Sequence, residues 1–256
     1  AAANDTLSGG KSWWQCPTCQ QGYTGELHLG LARARWQLVR GHATEDGERC
    51  EAADGLALAL RAAGESDGAM PLFEEVLATT RRTRGDDHPE TLTCVDNLAA
   101  AHSDMGNHGL ALPLYTEVLA KSRHSRGNED TDTLNIIGNL AAVHRAMYNY
   151  DLALPLCEEV LDGRRRILGN AHPLTLTSIS NEAILRYDMG EHAAAATLMR
   201  EALAGRRRVL GEDHPSTQAA VAAMDMIEEN LAEEVAAAEE GEEEEGEGEG
   251  RGYQRL

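Results

Sequence analysis

Apolar residues in the middle of the chain recur at the three- and four-residue intervals of an amphipathic helix. The first run is Leu92, Val95, Leu98 and Met105. A second run with similar spacing covers residues 112–119 and follows Gly106. Pro89 suits the first position of a helix, because its missing N–H would have no partner there, and Gly127 suits the turn after a helix end. The pattern predicts a helical hairpin.

The hairpin unit returns along the chain with a fixed step of 42 residues. The residues that fall into register are Gly85, Gly127, Gly169 and Gly211; Pro89, Pro173 and Pro215; Thr91, Thr133, Thr175 and Thr217; and Asn97, Asn139 and Asn181. A period of this length is typical of a solenoid, in which neighbouring hairpins share one core. We predict an all-α solenoid with repeats at about 43–84, 85–126, 127–168 and 169–210.

The repeated motifs resemble the tetratricopeptide repeat (TPR), in the long form found in kinesin light chains. The residues that carry the resemblance are His172-Pro173, Asn139-Leu140-Ala141, Gly106, 153–161 and 164–169. It covers about residues 43–232. The resemblance implies a right-handed superhelix of antiparallel helix pairs. It also implies a protein-interaction scaffold that binds a peptide segment of a partner in a concave groove.

The regions outside the repeats are predicted to differ in character. Residues 24–42 place Leu27, Leu31, Ala34 and Leu38 on one stripe, which indicates a helix that caps the first repeat or docks another protein. A closing helix is expected over residues 215–238. The Glu-rich residues 239–256 repel one another and predict a disordered acidic tail, either for solubility or to compete for a basic surface. Residues 1–23 are expected to be a flexible segment.

One residue departs from the repeat pattern at a core position. Glu182 occupies the place that leucine holds in the earlier repeats, at Leu56, Leu98 and Leu140. An unpaired carboxylate is costly to bury. We therefore predict that Glu182 turns to solvent or pairs with Arg186, four residues further on.

Basic residues gather at the ends of the second helices. They are Arg81, Arg82 and Arg84; Lys121, Arg123 and Arg126; Arg164 to Arg166; and Arg206 to Arg208. Cations at a helix C-terminus interact favourably with the exposed carbonyls and can pair with acidic residues of the following loops. Alternatively, they form a basic ridge that recruits an acidic ligand or the chain's own tail.

The charge distribution argues against a nucleic-acid partner. The net charge is −20, and the 13 acidic and 2 basic residues from Asp225 onward contribute −11 of it. The rest of the chain still carries a net charge of −9, which disfavours binding to the phosphates of nucleic acid. No apolar run approaches the ~18 residues of a membrane span, and the first residues lack the apolar core of a secretory signal. We expect a cytoplasmic protein with no membrane association.

Cys16 and Cys19 form a C-x-x-C pair whose spacing lets two thiolates hold one zinc ion. The pair resembles the closing CPxC of zinc-ribbon, RING or MYND modules, which need two further ligands. Candidates for these ligands are Cys50, His28 and His42, without a second pair at short spacing. Three interpretations stay open: zinc bound within this chain, the remnant of a zinc module that lies upstream, and reduced cysteines without metal. No residue is assigned as a metal ligand.

The TPR resemblance also indicates which residues would line the groove. Carried over residue by residue, the exposed positions of the first helices are Thr93, Asp96, Ser103 and Asp104; Asn135 and Arg145; and Thr177, Ser180, Tyr187 and Asp188. The amides of Asn97, Asn139 and Asn181 either satisfy a bound peptide backbone or bond a neighbouring helix. A small, polar and mildly acidic wall suits a peptide that carries Lys or Arg. It lacks the basic cluster by which chaperone-binding relatives hold a C-terminal carboxylate.

The histidines argue against an enzyme. Seven of the ten share three repeat positions: His88, His172 and His214; His102 and His144; and His108 and His192. Equivalent residues of successive repeats stand about 10 Å apart, too far to share one metal ion. The sequence contains no nucleophile elbow, phosphate-binding glycine loop or H-E-x-x-H motif. We predict no catalytic residue and no cofactor.

Two alternatives to a peptide-binding scaffold remain at this point. The chain could be the substrate-recognition part of a zinc-containing, RING- or MYND-like protein whose zinc module lies largely upstream. It could also be a structural assembly unit that associates with itself through its capping helices.

Overall fold

The structure, a computed structural model, describes the backbone of residues 25–250 and the side chains of residues 25–236. This part of the chain forms ten helices and contains no strand. The helices are α1 Gly25–Val39, α2 Gly47–Ala62, α3 Ser66–Arg84, α4 Pro89–Asp104, α5 His108–Arg126, α6 Thr131–Ala146, α7 Tyr150–Leu168, α8 Pro173–Asp188, α9 His192–Leu210 and α10 Pro215–Gly250. The predicted all-α class and the succession of helix pairs are confirmed.

The described residues divide into two compact units, and those up to Ser125 form the first. Within it α1 packs on α2, α2 on α3 and α3 on α4. Small side chains such as Ala53 and Ala57 are fully buried in α2, which lets the helices approach closely. The largest side chains enclosed in this unit are Phe73 and Tyr115. Burial raises the pKa of the Tyr115 phenol well above its ordinary value.

The described residues from Arg126 onward form the second unit. Here α6 packs on α7, α7 on α8, α8 on α9 and α9 on α10. One cluster of buried apolar side chains runs through the last four of these helices. Its larger members are Leu161, Leu176, Ile179, Met199, Leu203, Met224 and Ile227. A core shared by successive helices is the packing that the repeat period predicts.

The repeated His and Thr residues are explained by the way the first helices begin. Nδ1 of His88 and of His172 accepts a hydrogen bond from the backbone N–H two residues on, and each histidine caps its helix. At the equivalent position Asp130 caps α6 through the N–H groups of Asp132 and Thr133. The aligned threonines are fully buried: Thr91, Thr133, Thr175 and Thr217. These repeated positions therefore define helix starts.

Helix α1 turns inward a different face from the one predicted. The side chains that it buries are Leu29, Ala32 and Val39. Leu27 and Leu38, which the predicted stripe placed inward, are 57% and 63% exposed. Both stripes have helical spacing, so the choice between them depends on the contact with α2 and with Arg49, whose guanidinium lies 5.3 Å from the Trp36 ring. The capping role of α1 stays a prediction.

The last helix is longer than predicted. Helix α10 continues to Gly250, beyond the expected end at Ala238. The disorder of residues 239–256 stays a prediction. Cys16 and Cys19 lie outside the described residues, as does the predicted flexible segment 1–23. Among the described residues, no helix combines the length and the apolar character needed to cross a bilayer.

Candidate functional site

The predicted site residues of the first unit lie along α4. Thr93 is exposed, although its hydroxyl donates to the Pro89 carbonyl 3.1 Å away. Asp96 and Ser103 are half-buried. Asp104 is exposed and lies 3.2 Å from Nε of Arg61 on α2. This part of α4 therefore presents polar groups, as predicted, but the Asp104 charge is already paired.

Asn97, the first of the three repeated asparagines, forms a hydrogen bond with another side chain of the protein. Asn97 Nδ2 donates to Asp54 Oδ1 over 3.4 Å, which joins the first helices of two successive repeats. Burial raises the pKa of the Asp54 carboxyl, and the hydrogen bond from Asn97 opposes that shift. The repeated asparagines were predicted to bond either a bound peptide or a neighbouring helix. The contact at Asn97 favours the neighbouring helix. Asn139 is half-buried and Asn181 is exposed.

In the second unit the structure brings together predicted residues from two helices. Arg145 on α6 donates through Nη1 to Asp188 Oδ2 on α8, at 2.8 Å. Tyr187 is half-buried, with its ring centroid 5.0 Å from that of His192. The pairing neutralises Asp188, so this face is less acidic than the sequence alone indicates.

Asn135 has a structural partner that the sequence did not reveal. Its Oδ1 accepts a hydrogen bond from Nη2 of Arg164 at 2.6 Å. Arg164 is 7% exposed and also donates to Ser178 Oγ at 2.7 Å and to the Leu174 carbonyl at 3.2 Å. Burial lowers the pKa of this guanidinium. Asn135 therefore helps to satisfy a buried cation that the structure pairs with neutral acceptors.

Ser180 is not exposed, although the TPR resemblance placed it at an exposed position of its helix. It is 5% exposed, and its Oγ donates to the Leu176 carbonyl at 3.2 Å. A serine can turn its hydroxyl back to the preceding helical turn, and it then packs like a small core residue. The expectation of exposure was wrong for Ser180. Thr177 and Asn181, on the same helix, are exposed.

The misfit at Glu182 is resolved by an ion pair, as predicted. Glu182 is 5% exposed, and its Oε1 accepts from Arg186 Nε at 3.0 Å. Arg186 also binds Glu191 at 2.8 Å and Glu158 at 3.2 Å. Burial alone would lower the pKa of Arg186, but the hydrogen bonds that its guanidinium donates to Glu182 and Glu191 raise it. Three carboxylates around one guanidinium leave a local surplus of negative charge.

Many of the basic residues at the ends of the second helices already have acidic partners. Arg81 lies 3.2 Å from Asp86, Arg84 lies 2.9 Å from Glu90, and Lys121 lies 3.2 Å from Asp87. In the second unit Arg166 pairs with Glu129 and Arg207 with Glu212. These pairs favour local charge compensation over a basic ridge that binds the acidic tail.

The described residues bring three potential metal ligands together, at the start of α2. His42, Asp46 and Glu48 offer ligand atoms within 4.8 Å of one another. Asp46 already caps the helix by accepting from the Arg49 N–H at 3.0 Å. Cys50, a candidate zinc ligand from the sequence, instead donates its thiol to the Thr44 carbonyl at 3.2 Å, and burial raises its pKa. This arrangement gives no support to the zinc hypothesis.

A cleft next to the predicted face was missed by sequence reasoning. Its walls are Tyr148, Asn149, Tyr150, Asp151, Leu152, Asp188 and Met189, and it has a volume of about 410 Å³. Tyr148 is 79% exposed. The signal in the sequence was a tyrosine at a repeat position that glycine holds in the other repeats, at Gly64, Gly106 and Gly190.

The comparisons with known proteins agree on the repeat type. The family model described as tetratricopeptide repeat matches residues 48–123 and 132–208. The comparison with curated proteins gave no match.

Solved structures share the fold of the chain. BtubC (BKLC) from P. vanneervenii is similar with a TM-score of 0.67 and 20% identity, over 90% of this chain and 94% of that one. A putative kinesin light chain of Podosopora anserina with nearly identical TPR-like repeats has a TM-score of 0.57 and 24% identity, over 71% of this chain and 87% of that one. At these identities the likeness establishes a common fold.

Proposed function

Because the chain belongs to the tetratricopeptide repeat family, we propose that it is a protein-interaction scaffold that holds a peptide segment of its partner against the first helices of its repeats. TPR domains bind protein or peptide partners and are generally not enzymes. The proposal includes no catalytic step and no cofactor, and it sets the interaction in the cytoplasm.

The polar surface of α4 is the observation that carries the proposal. The helix buries its apolar side chains, such as Leu92 and Val95, and leaves Thr93, Asp96 and Asp104 at least partly accessible. Thr93 bonds the Pro89 carbonyl and Asp104 pairs with Arg61, yet both side chains stay exposed to solvent. A row of accessible polar groups on a rigid helix supports recognition of an extended or helical segment.

We propose that the partner segment is basic. Asp54, Asp96 and Asp104 lie on the first helices of the first unit, and Arg61 is the cation that the structure places on Asp104. In the second unit Arg186 is outnumbered by its three carboxylate partners. A partner that brings Lys or Arg to these surfaces gains complementarity and a faster association at low salt.

Affinity capture with the full chain tests the proposal. Wild type is compared with a double variant, Asp96→Lys and Asp104→Lys, which reverses charge on α4. The matched control is Glu74→Lys, because Glu74 is exposed on α3, a second helix of the same unit. Circular dichroism checks that all three chains keep their helical content.

The proposal expects a partner that is retained by wild type and by Glu74→Lys but lost by the α4 variant. Binding of that partner should also weaken as salt rises, because exposed charge pairs are screened. A partner retained equally by all three chains would show that α4 is not the recognition surface. Capture of an acidic segment through α4 would contradict the basic partner and leave the scaffold intact.

A further inference from the structure

Tyr148 adopts a backbone conformation that the other repeats reserve for glycine. The turns between the first and second helices contain Gly64, Gly106 and Gly190, with φ of 79°, 74° and 80°. In the repeat at 127–168 the same position holds Tyr148, with φ of 60°. It is the one non-glycine residue with positive φ among the described residues.

The turn favours glycine for its backbone conformation and not for lack of space. A Cβ built on Gly64, Gly106 or Gly190 meets no atom within 4 Å. A left-handed conformation brings the Cβ of an L-residue close to the following carbonyl oxygen, which glycine avoids. Tyr148 therefore carries a cost in stability that the other three repeats do not. Strain of this kind, once observed, points to a role for the side chain.

The side chain of Tyr148 gains little from internal packing, because 79% of the residue is exposed. Its ring lies 6.2 Å from that of Tyr150, at an interplanar angle of 71°. Leu152, 55% exposed, and Asp151, also exposed, line the same cleft. The cleft thus combines the exposed ring of Tyr148 and the half-buried ring of Tyr150 with one exposed aliphatic side chain and one exposed carboxylate.

The electrostatics of this cleft favour a cation. Arg145 compensates the charge of Asp188 at 2.8 Å. Among the described side chains Asp151, the second carboxylate of the cleft, has no ion-pair partner. Tyrosine rings attract a cation placed over their faces, and an aliphatic surface accommodates the methylene stem of Lys or Arg.

We propose that Tyr148, Tyr150, Asp151 and Leu152 form a platform that receives a Lys or Arg side chain of the partner segment. The stem packs on Leu152 and the tyrosine rings, and the cationic group pairs with the Asp151 carboxylate. The cleft volume of about 410 Å³ accommodates such a side chain. The inference rests on the proposed scaffold function and adds a specific anchor for a basic residue.

The test uses the full chain and three labelled peptides of about twelve residues, alternating Leu and Ser with Arg, Gln or Glu at two fixed positions. Fluorescence anisotropy measures their affinities for wild type and for Tyr148→Gly, Tyr148→Phe and Leu152→Ala. The matched control is Leu110→Ala, since Leu110 holds the same repeat position as Leu152 and is 56% exposed. In its repeat the position of Tyr148 is occupied by Gly106. Thermal unfolding is measured on each chain.

We expect wild type to bind the Arg peptide, and the Gln and Glu peptides at least about fivefold more weakly. Tyr148→Gly and Leu152→Ala should weaken binding of the Arg peptide by about fivefold to tenfold, whereas Tyr148→Phe and Leu110→Ala should not. Tyr148→Gly should at the same time unfold at a higher temperature, because it releases the left-handed strain. Loss of binding with a gain in stability is a combination that a purely structural tyrosine would not produce.

The proposal is wrong if wild type binds the Gln peptide as tightly as the Arg peptide. It is also wrong if Tyr148→Gly and Leu152→Ala bind the Arg peptide as tightly as wild type does. It is also overturned if the Arg peptide does not bind at all, or if wild type is a dimer that Tyr148→Gly dissociates, since a second copy would then cover the tyrosines. None of these results bears on the scaffold function, which is judged separately by partner capture with the α4 variant.

Discussion

Arg186 Nε lies 3.0 Å from Glu182 Oε1, so the guanidinium contacts a carboxylate that is buried on α8. Arg186 keeps contact with solvent and with the carboxylates of Glu158 and Glu191. The pair therefore spans the boundary between core and surface. Glu182 depends on Arg186 for compensation of its buried charge, whereas Arg186 also pairs with Glu158 and Glu191.

This inequality predicts different effects for the two members. Arg186→Met should destabilise the chain by about 3 kcal/mol, because it leaves the Glu182 carboxylate buried and unpaired. Glu182→Leu restores the residue of the earlier repeats and should stay within about 1 kcal/mol of wild type, since an apolar side chain often replaces a buried ion without loss. Urea unfolding measures both. Equal destabilisation by the two variants would contradict this account.

Gly163 in α7 permits close contact with the buried Leu134 of α6. A Cβ on Gly163 would lie 2.8 Å from Cδ2 of Leu134, which is itself buried. Gly163→Ala should therefore cost about 1–3 kcal/mol from overpacking, despite the better helix propensity of alanine.

Gly138 offers the matched control for this substitution. It lies within α6, and a Cβ there meets no atom within 4 Å. Gly138→Ala should raise stability by about 0.5–1 kcal/mol through helix propensity alone. Thermal unfolding should move the two variants in opposite directions. A gain in both would show that α6 and α7 are less closely packed than described.

Asn135 and the buried Arg164 form the contact that most changes the interpretation of the predicted face. Asn135→Ala should destabilise the chain by about 1–3 kcal/mol, because a guanidinium N–H would lose its acceptor in a buried setting. Thr177 holds the same repeat position and is exposed, and its hydroxyl bonds only its own helix at the Pro173 carbonyl. Thr177→Ala should change stability by less than about 0.5 kcal/mol. Similar unfolding midpoints for both variants would argue for a surface role of Asn135.

Cys94 and Cys157 are expected to react slowly with alkylating reagents. Burial raises the pKa of each thiol to about 11, from an ordinary value of 9.0. The folded chain holds the proton more tightly than the unfolded chain, so at about pH 8 the reactive thiolate is roughly a hundredfold scarcer. Iodoacetamide labelling followed by mass spectrometry should show slow modification that accelerates toward pH 11.

Labelling of the same chain in urea provides the comparison for the cysteines. There both thiols should react at the rate of an ordinary cysteine, because unfolding removes the burial that raises their pKa values. Native labelling at the rate seen in urea would show that these two positions are open to solvent.

The sequence identified the repeats because their signals are local and redundant. The 42-residue step aligns helix starts, glycines and core residues several times over, so single departures such as Glu182 do not hide it. The same local logic correctly paired Glu182 with Arg186, since residues four apart share a helix face. The candidate site was harder to predict from the sequence, because it depends on which side chains form contacts with other helices.

What the sequence determined by itself is therefore the fold class, the helix pairs and the repeated positions at which each helix begins. The tertiary structure decided which of two equally spaced stripes α1 buries, that Ser180 turns inward and that Asn135 serves Arg164. It also revealed that Tyr148 has the backbone conformation of a glycine while its ring stays exposed. The physical reason is that helical periodicity acts within one segment, whereas partner choice and backbone strain are set by neighbouring segments that the periodicity does not specify.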